Sequence, residues 1–227
     1  MWPLPALILA AGRGERMRPL TDSTPKPLLP VRGRPLIEWH LLALARAGVR
    51  EVVVNTAWLE ERFPAVLGDG SRWGLSIRYS LEGRDHGGAL ETAGAIAKAR
   101  TWLGDACWLV SGDIHAPGFA FDPLAAQRFL ATDDDAHLWL VENPDFHRSG
   151  DFALHAGRLA RTATPRPWTY ANLALLRTRL VDGVVPGSAA PLGPLLFASA
   201  DAGRLSGEAL QGEWHNVGTP AQWQALQ

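Results

Sequence analysis

Gly12, Arg13, Gly14, Arg16 and Arg18, followed by Lys26 held between Pro25 and Pro27, form the densest group of anion-seeking residues in the chain. Glycines let backbone N–H groups approach a ligand with no Cβ in the way. Successive loop amides form a concave nest for phosphate oxygens, and guanidinium and ammonium groups balance the charge. The chemistry indicated is polyphosphate binding. No G-x-x-x-x-G-K-[ST] occurs, so the loop is not a P-loop, and Gly12-Arg13-Gly14-Glu15-Arg16-Met17 lacks the third glycine of the dinucleotide pattern. Two glycines after a strand also serve simply to shape a turn, and Arg16 or Arg18 alone reads equally as a solvated surface arginine. The spacing by itself leaves these alternatives open.

Such a loop needs a strand to carry it, and Pro5–Ala11 is an apolar run of that length. Pro35–Ala47 then places Leu36, Ile37, His40, Leu41, Leu44 and Ala45 at helical spacing, with Gly48 at the C-terminal cap. A strand is expected at Val52–Asn55, a helix around Trp58–Leu67, an alternating strand at Leu75–Ser80, a glycine-rich loop at Glu82–Gly88, a helix at Leu90–Ala99 and a strand at Cys107–Val110. Strands alternating with helices predict a mostly parallel sheet covered on both faces. Ligands of such sheets lie beyond the carboxyl ends of the strands, so the arginine loop and Ser111-Gly112-Asp113 should converge.

Further on, Phe121–Ala131 reads as a helix, His137–Val141 as a strand and Asn143–Gly150 as a loop. Asp151–His155 and Arg158–Thr162 flank Ala156-Gly157, a tight-turn pair. Thr169–Leu176 reads as a strand, Leu192–Ala202 as a helix with Pro194 in its first turn, Glu213–Val217 as a short strand and Pro220–Leu226 as a final helix. No repeat or linker stands out, so a single domain over 1–227 is expected.

L-A-A-G-x-G-x-R-M-x-P-L-T, then T-P-K-P-L-L-P-V and G-R-P-L-I, resembles the sugar-1-phosphate nucleotidyltransferases, most of all the branch that uridylylates muramate phosphates. The resemblance implies a Rossmann-like nucleotidyltransferase fold of the α/β class. It has a mixed, mostly parallel sheet flanked by helices and a small sugar-binding β region in the C-terminal half. Residues 1–113 would serve mainly the nucleotide and 114–227 mainly the sugar phosphate. It implies Mg2+-dependent transfer of a nucleotidyl group from a nucleoside triphosphate, UTP in that branch, to a sugar 1-phosphate. Pyrophosphate is released, as part of cell-wall precursor recycling. In-line transfer of this kind asks the protein to position two anions and neutralise charge.

Mapped onto this sequence, the resemblance assigns Gly14, Glu15 and Arg16 to the loop around the triphosphate and Lys26 to its phosphates. Leu9, Ala10, Ala11 and Gly12 would frame the nucleoside, and Arg13 would be peripheral. Ser111-Gly112-Asp113 matches N-G-D, whose aspartate holds magnesium, a cation that prefers oxygen ligands and keeps its waters. An aspartate that caps the next turn is the plainer reading. Trp214-His215-Asn216-Val217-Gly218-Thr219 matches W-x-D-V-G-T with Asn216 at the second metal position, a ligand without charge. Glu82 and Gly88 are candidates for the base, and Arg84–Gly88 is longer than its counterpart. Leu90-Glu91-Thr92-Ala93-Gly94-Ala95 resembles L-E-T-G-G-G with two alanines, expected to narrow the pocket. Glu91 also reads as a helix-start carboxylate. Asn143, Asp151 and, more loosely, Asn172 would meet the sugar with Ser111, although Asn-Pro and Gly-Asp are also ordinary turn pairs. Another hexose or heptose 1-phosphate, or a binding protein that has lost turnover, remain the competing readings.

Composition narrows the rest. Twenty-two Lys and Arg against 23 Asp and Glu give no general surface for nucleic acid or an anionic membrane. The single cysteine, Cys107, sits in an apolar run and reads as a buried structural thiol. Seven scattered histidines lack zinc spacing. No signal-like or membrane-spanning run appears, so a cytoplasmic protein with small-molecule substrates and no obligate protein partner is expected. The ten tryptophans are spread along the chain, which favours packing roles.

Overall fold

Alternation within the apolar strands divides the core into two. In β1 (Ala6–Leu9), Ala6 and Ile8 face one side and Leu7 the other. In β6 (Ala106–Ser111), Trp108 and Val110 join the first side, and Cys107 and Leu109 the second. Side chains point to opposite faces along a strand, and strands covered on both faces are apolar throughout. The protein is described by a computed structural model covering residues 3–161 and 164–227.

After β1 come the short strands β2 (Pro30–Val31) and β3 (Arg34–Pro35), helix α1 (Leu36–Arg46), β4 (Glu51–Thr56), α2 (Arg62–Leu67), β5 (Ser76–Leu81), α3 (Glu82–His86) and α4 (Glu91–Leu103). Beyond β6 follow β7 (Ile114–His115), α5 (Pro123–Leu130), β8 (Ala136–Glu142), the hairpin β9 (Ala153–His155) and β10 (Arg158–Ala160), and the long β11 (Trp168–Arg177). The chain continues through α6 (Gly193–Asp201), β12 (Leu205–Ala209), β13 (His215–Asn216) and α7 (Pro220–Gln224). Among the described residues one sheet of nine strands runs in the order β5-β4-β1-β6-β11-β8-β12-β10-β9. All of its strands except β11 and β10 point the same way, so the sheet is mixed and mostly parallel, as expected. The β9–β10 hairpin is the outer edge of this same sheet.

The differences from the expected elements have local causes. Glu82–Gly88 is a helical turn rather than an open loop: Glu82 accepts a hydrogen bond from Leu90 N–H, and Gly87, at φ 77°, ends the turn. Helix α4 runs past Ala99 to Leu103 because Ile96, Ala99 and Leu103 continue its buried stripe, until Gly104 at φ 64° stops it. Helix α2 begins only at Arg62. Ala156 and Gly157 both take positive φ, as a tight hairpin requires. Thr162, expected at the end of that hairpin, lies outside the described residues.

Two partly separate cores flank the sheet, and a third small cluster of Met17, Leu29, Val31, Leu36, Val217 and Leu226 fastens the arginine loop to the C-terminal segment. Cys107 is fully buried and its thiol is pushed up to about 12 by desolvation, which fits a structural role. At the far end, buried Asp135 accepts from Arg179 (3.0 Å), Ser199 (2.9 Å) and Arg204 (2.9 Å). Burial alone would raise this carboxyl, but those hydrogen bonds outweigh it and hold the group below the usual carboxylate range. With a folded value below the unfolded one, the contribution to stability is complete above about pH 4 and fades as pH falls through the folded value. Asp135→Asn is expected to cost about 1–3 kcal/mol at neutral pH and to flatten the acid limb. Urea melts at pH 7 and pH 3 check both effects.

Candidate active site

The site grows from the carboxyl ends of β1 and β6. Gly112 N–H donates to Leu9 O at 2.8 Å, so the two parallel strands remain joined one residue past β6. A Cβ on Gly112 would stand 3.0 Å from Leu9 O and 3.2 Å from Pro27 Cβ, so glycine here lets the Pro25–Leu28 turn settle against both strand ends. That turn presents Lys26, whose Nζ meets Asp113 Oδ2 at 2.5 Å. The arginine loop, Gly12-x-Gly14, is shaped by Gly14 at φ 68°, where a Cβ would come within 3.1 Å of Thr21 and 3.3 Å of Lys26. The Thr21 hydroxyl donates to Gly14 O at 2.9 Å.

Indole N–H groups pin the surrounding loops. Trp58 donates to Thr21 O, Trp39 to Val31 O, Trp223 to Pro30 O and Trp214 to Ala171 O. The tryptophans do pack, but these polar tips also fix backbone carbonyls, a role that composition does not reveal. Arg13 lies 3.8 Å from the Trp58 ring centroid and Arg18 pairs with Asp22 at 2.7 Å, so both serve the loop's own shape. Arg16 makes no ion pair or side-chain hydrogen bond among the described residues; its guanidinium lies over Gly218.

The second metal position arrives on a two-stranded ribbon. β13 pairs with β7, Asn216 opposite Ile114, and Val217 N–H donates to Asp113 O at 2.9 Å. His40 supports the ribbon from α1: its Nε2–H donates to Ile114 O at 2.7 Å. His115 is fully buried against Trp39 and His215, with neither ring nitrogen bonded.

Leu9, Ala11, Gly12, Lys26, Ser111 and Asp113 line one cavity of about 300 Å³ together with Asn55, Ala89, Glu91 and Thr92. A second, of about 350 Å³, shares Leu9, Glu91 and Thr92 with the first and adds Tyr170, Asn172, Pro191 and Leu192. The two form one cleft. Asn172, at φ 59°, sits in the irregular stretch where the register of β11 against β8 shifts between Tyr170 and Ala174, and Glu91 opens α4 at φ 55°. A separate apolar hollow by Leu4, Val49 and Trp108 lies at the opposite strand ends and brings no titratable group.

Several expected contacts fall elsewhere. Glu82 does not face the cleft: it is fully buried, with one carboxylate oxygen accepting from Asn55 Nδ2 and the other from Leu90 N–H. Gly88 flanks the cavity-lining Ala89. Ala93 and Ala95 are fully buried and line neither cavity, so they do not narrow the pocket; Ala93 packs in the core beside Leu7 and Ile96. Gly94, between them, is the position that must stay bare, since a Cβ would stand 2.4 Å from Ser188 O. Asn143 and Asp151 spend their side chains on tying their loop to the start of β11. Asn143 bonds Arg148 O, Arg166 O and the Thr169 hydroxyl, and Asp151 bonds His147 and Tyr170 N–H. Neither lines the cleft. Glu15 is exposed at the loop's outer side. Asn55, Thr92 and Tyr170 were not singled out from sequence. Asn55 at the end of an apolar strand was the one available signal.

The donors near Asp113 suit a hard cation. Asp113 Oδ1 and the Asn216 side chain have no hydrogen-bond partner among the described residues, and both offer oxygen. Two protein oxygens leave room for phosphate oxygens and water, which is how magnesium is usually held. No cluster of three or more His, Cys, Asp or Glu among the described residues would hold a metal without such a ligand.

A glycine-shaped loop and a lysine–aspartate pair at the strand ends of this sheet are what one family of enzymes presents, and the chain belongs to it: the model described as "Nucleotidyl transferase" matches residues 5–144. The chain is 45% identical over 217 residues to the N-acetylmuramate alpha-1-phosphate uridylyltransferase of Neisseria meningitidis, covering 94% of this chain and 93% of that one. The protein of the same name from Caulobacter vibrioides is 34% identical over 232 residues, covering 96% and 93%. In fold, the chain matches a Bacillus anthracis protein crystallised with sucrose and assigned to the glucose-1-phosphate thymidylyltransferases. The TM-score is 0.82 at 20% identity, over 98% of this chain and 93% of that one.

Burial lowers His40 to about 4, outweighing the opposing hydrogen bond to Ile114. The folded value lies below the unfolded one, so its stabilisation is present above about pH 6.5 and is lost as pH falls towards 4. His40→Gln, which keeps an N–H donor, is expected to shrink the loss of stability between pH 7 and pH 5. Urea midpoints at the two pH values, wild type against variant, give the measurement.

Proposed function

We propose that this protein transfers a uridylyl group from UTP to N-acetylmuramate 1-phosphate, releasing pyrophosphate. The observation that carries the reading is the Lys26–Asp113 pair, set in one cavity of a cleft whose second cavity has room for another substrate. The choice of substrates follows the two relatives named above, which are alike over nearly their whole lengths.

In this reading Leu9, Ala11 and Gly12 frame the nucleoside by backbone contact, and the Gly14-Glu15-Arg16 loop wraps the triphosphate. Arg16 and Lys26 balance the charge that develops around the α-phosphorus as the sugar phosphate oxygen attacks in line and pyrophosphate departs. Asp113 and Asn216 would hold Mg2+, which supplies charge neutralisation on the phosphates when bound. Substrate phosphate would compete with Asp113 for Lys26, and Asp113 would hold the cation through the oxygen that Lys26 does not meet. Tyr170 and Asn172 line the second cavity, the side left for the sugar, and Ser111 reaches the sugar phosphate from the first, beside Asp113.

Pyrophosphate release, measured with UTP, dTTP, CTP, GTP and ATP against several sugar 1-phosphates, tests the reading. Release that requires UTP and N-acetylmuramate 1-phosphate is expected; release with another pair moves the specificity, and none with any pair sinks the assignment. Removing one preorganised charge of this kind costs roughly a hundredfold or more in rate, so Lys26→Gln and Arg16→Gln should each lose at least that much. Asn216→Asp adds a charged ligand and should lower the Mg2+ concentration for half-maximal rate by several-fold; a magnesium titration of the variant reads this directly.

A further inference from the structure

Behind the nucleotide side of the cleft, three strand and helix ends share one chain of hydrogen bonds. Ala10 N–H donates to Asn55 Oδ1 at 2.8 Å, Asn55 Nδ2 donates to Glu82 Oε1 at 2.9 Å, and Leu90 N–H donates to Glu82 Oε2 at 2.8 Å. Asn55 is 3% exposed and Glu82 fully buried. The polarity of the chain is forced at both ends. A backbone N–H only donates, so the amide atom facing Ala10 is oxygen; the atom facing Glu82 is then nitrogen. The Asn55 amide therefore has one orientation. Its nitrogen carries two hydrogens, one directed at Glu82 and one without a partner among the described residues, and Asn55 is part of the cavity wall.

We infer that Asn55 reads the nucleobase by donating its second amide N–H to a ring carbonyl oxygen, with Glu82 as the positioning residue that fixes the amide. This rests on the nucleotidyl-transfer reading and narrows its substrate. Uracil offers carbonyl oxygens to a fixed donor. Adenine has none and presents an amino group, itself a donor, so it leaves the Asn55 N–H unpaired beneath the base, which is costly. Sites built to bond a substrate group reject analogues that lack it.

Asn55→Asp, Glu82→Gln and the double variant test the inference. The first places two carboxylates face to face. The second replaces one acceptor with a donor between two other donors. Together they reverse the polarity and restore every internal bond: the new amide at 82 donates to the new carboxylate at 55 and accepts from Leu90 N–H, while Ala10 N–H keeps its acceptor. The donor offered to the base is gone. Thermal midpoints and calorimetric affinities for UTP and ATP, both with Mg2+, are the readouts. The wild type should prefer UTP, each single variant should melt earlier, and the double variant should regain the midpoint while its UTP-over-ATP preference falls about tenfold or more. The negative charge moved to position 55 acts on both triphosphates alike, so the ratio isolates the base contact.

A double variant that keeps the preference reduces the network to a structural role and overturns the inference. So does one that fails to regain the midpoint, or a wild type without preference for UTP. Calorimetry does not depend on turnover: selective UTP binding without pyrophosphate release would sink the transfer reading and leave the Asn55 contact standing.

Discussion

The distance at which β1 and β6 end beside each other governs the cleft. The Gly112 N–H to Leu9 O bond carries the parallel pairing one residue beyond the strand, and the bare Cα of Gly112 admits Pro27 at that point. Three segments far apart in sequence thereby meet within a few ångströms: the strand before the arginine loop, the lysine turn after it, and the strand that delivers Asp113. A side chain at 112 would push the lysine turn outward and take Lys26 from Asp113. The ion pair is a consequence of this approach rather than its cause, since an ion pair of this sort contributes little net stability once desolvation is counted.

The nucleotide side of the cleft is backed by largely buried polar groups. Glu82, the Asn55 oxygen, one Asn55 amide hydrogen and the N–H groups of Ala10 and Leu90 satisfy one another in a place where an unpaired group would be expensive. The Ser188–Ala190 stretch lies against the start of α4, with Ala190 N–H bonded to Leu90 O and Ala190 O accepting from Ala93 and Gly94. This contact lets the same helix end face both cavities. It also explains why only Gly94 of the Ala93-Gly94-Ala95 triplet must lack a side chain: its neighbours point into the core, whereas its own Cα faces a backbone carbonyl.

Much of the fold was legible because its signals are local. The period of two in β1 and β6, the helical stripe of α1 with its cap at Gly48, and the hairpin turn at Ala156-Gly157 each follow from a few adjacent residues. The convergence of the arginine loop with Ser111-Gly112-Asp113 was legible from strand–helix alternation alone. The turn at Glu82–His86 was not, because it depends on a carboxylate reaching Leu90, eight residues on. Glu82 read as a base contact and Ala93 as a pocket wall for the same reason: residue type and motif position do not say which way a side chain points once a helix register is set. Asn143 and Asp151 show the limit from the other side, since turn chemistry and sugar recognition draw on the same residue types.

The β7–β13 ribbon orders the making of the protein as well as its shape. Asp113 is made well before Val217, whose N–H bonds its carbonyl, and before the Trp223 indole that ties Pro30. A growing chain folds from its N-terminal side as it emerges, and β1, β4, β5 and β6 can pair with one another well before the ribbon exists. Until 214–226 are made, both the apolar footing of the arginine loop and the second oxygen beside Asp113 are missing. The two sides of the site are completed together, when 214–226 fold back across the arginine loop and β7.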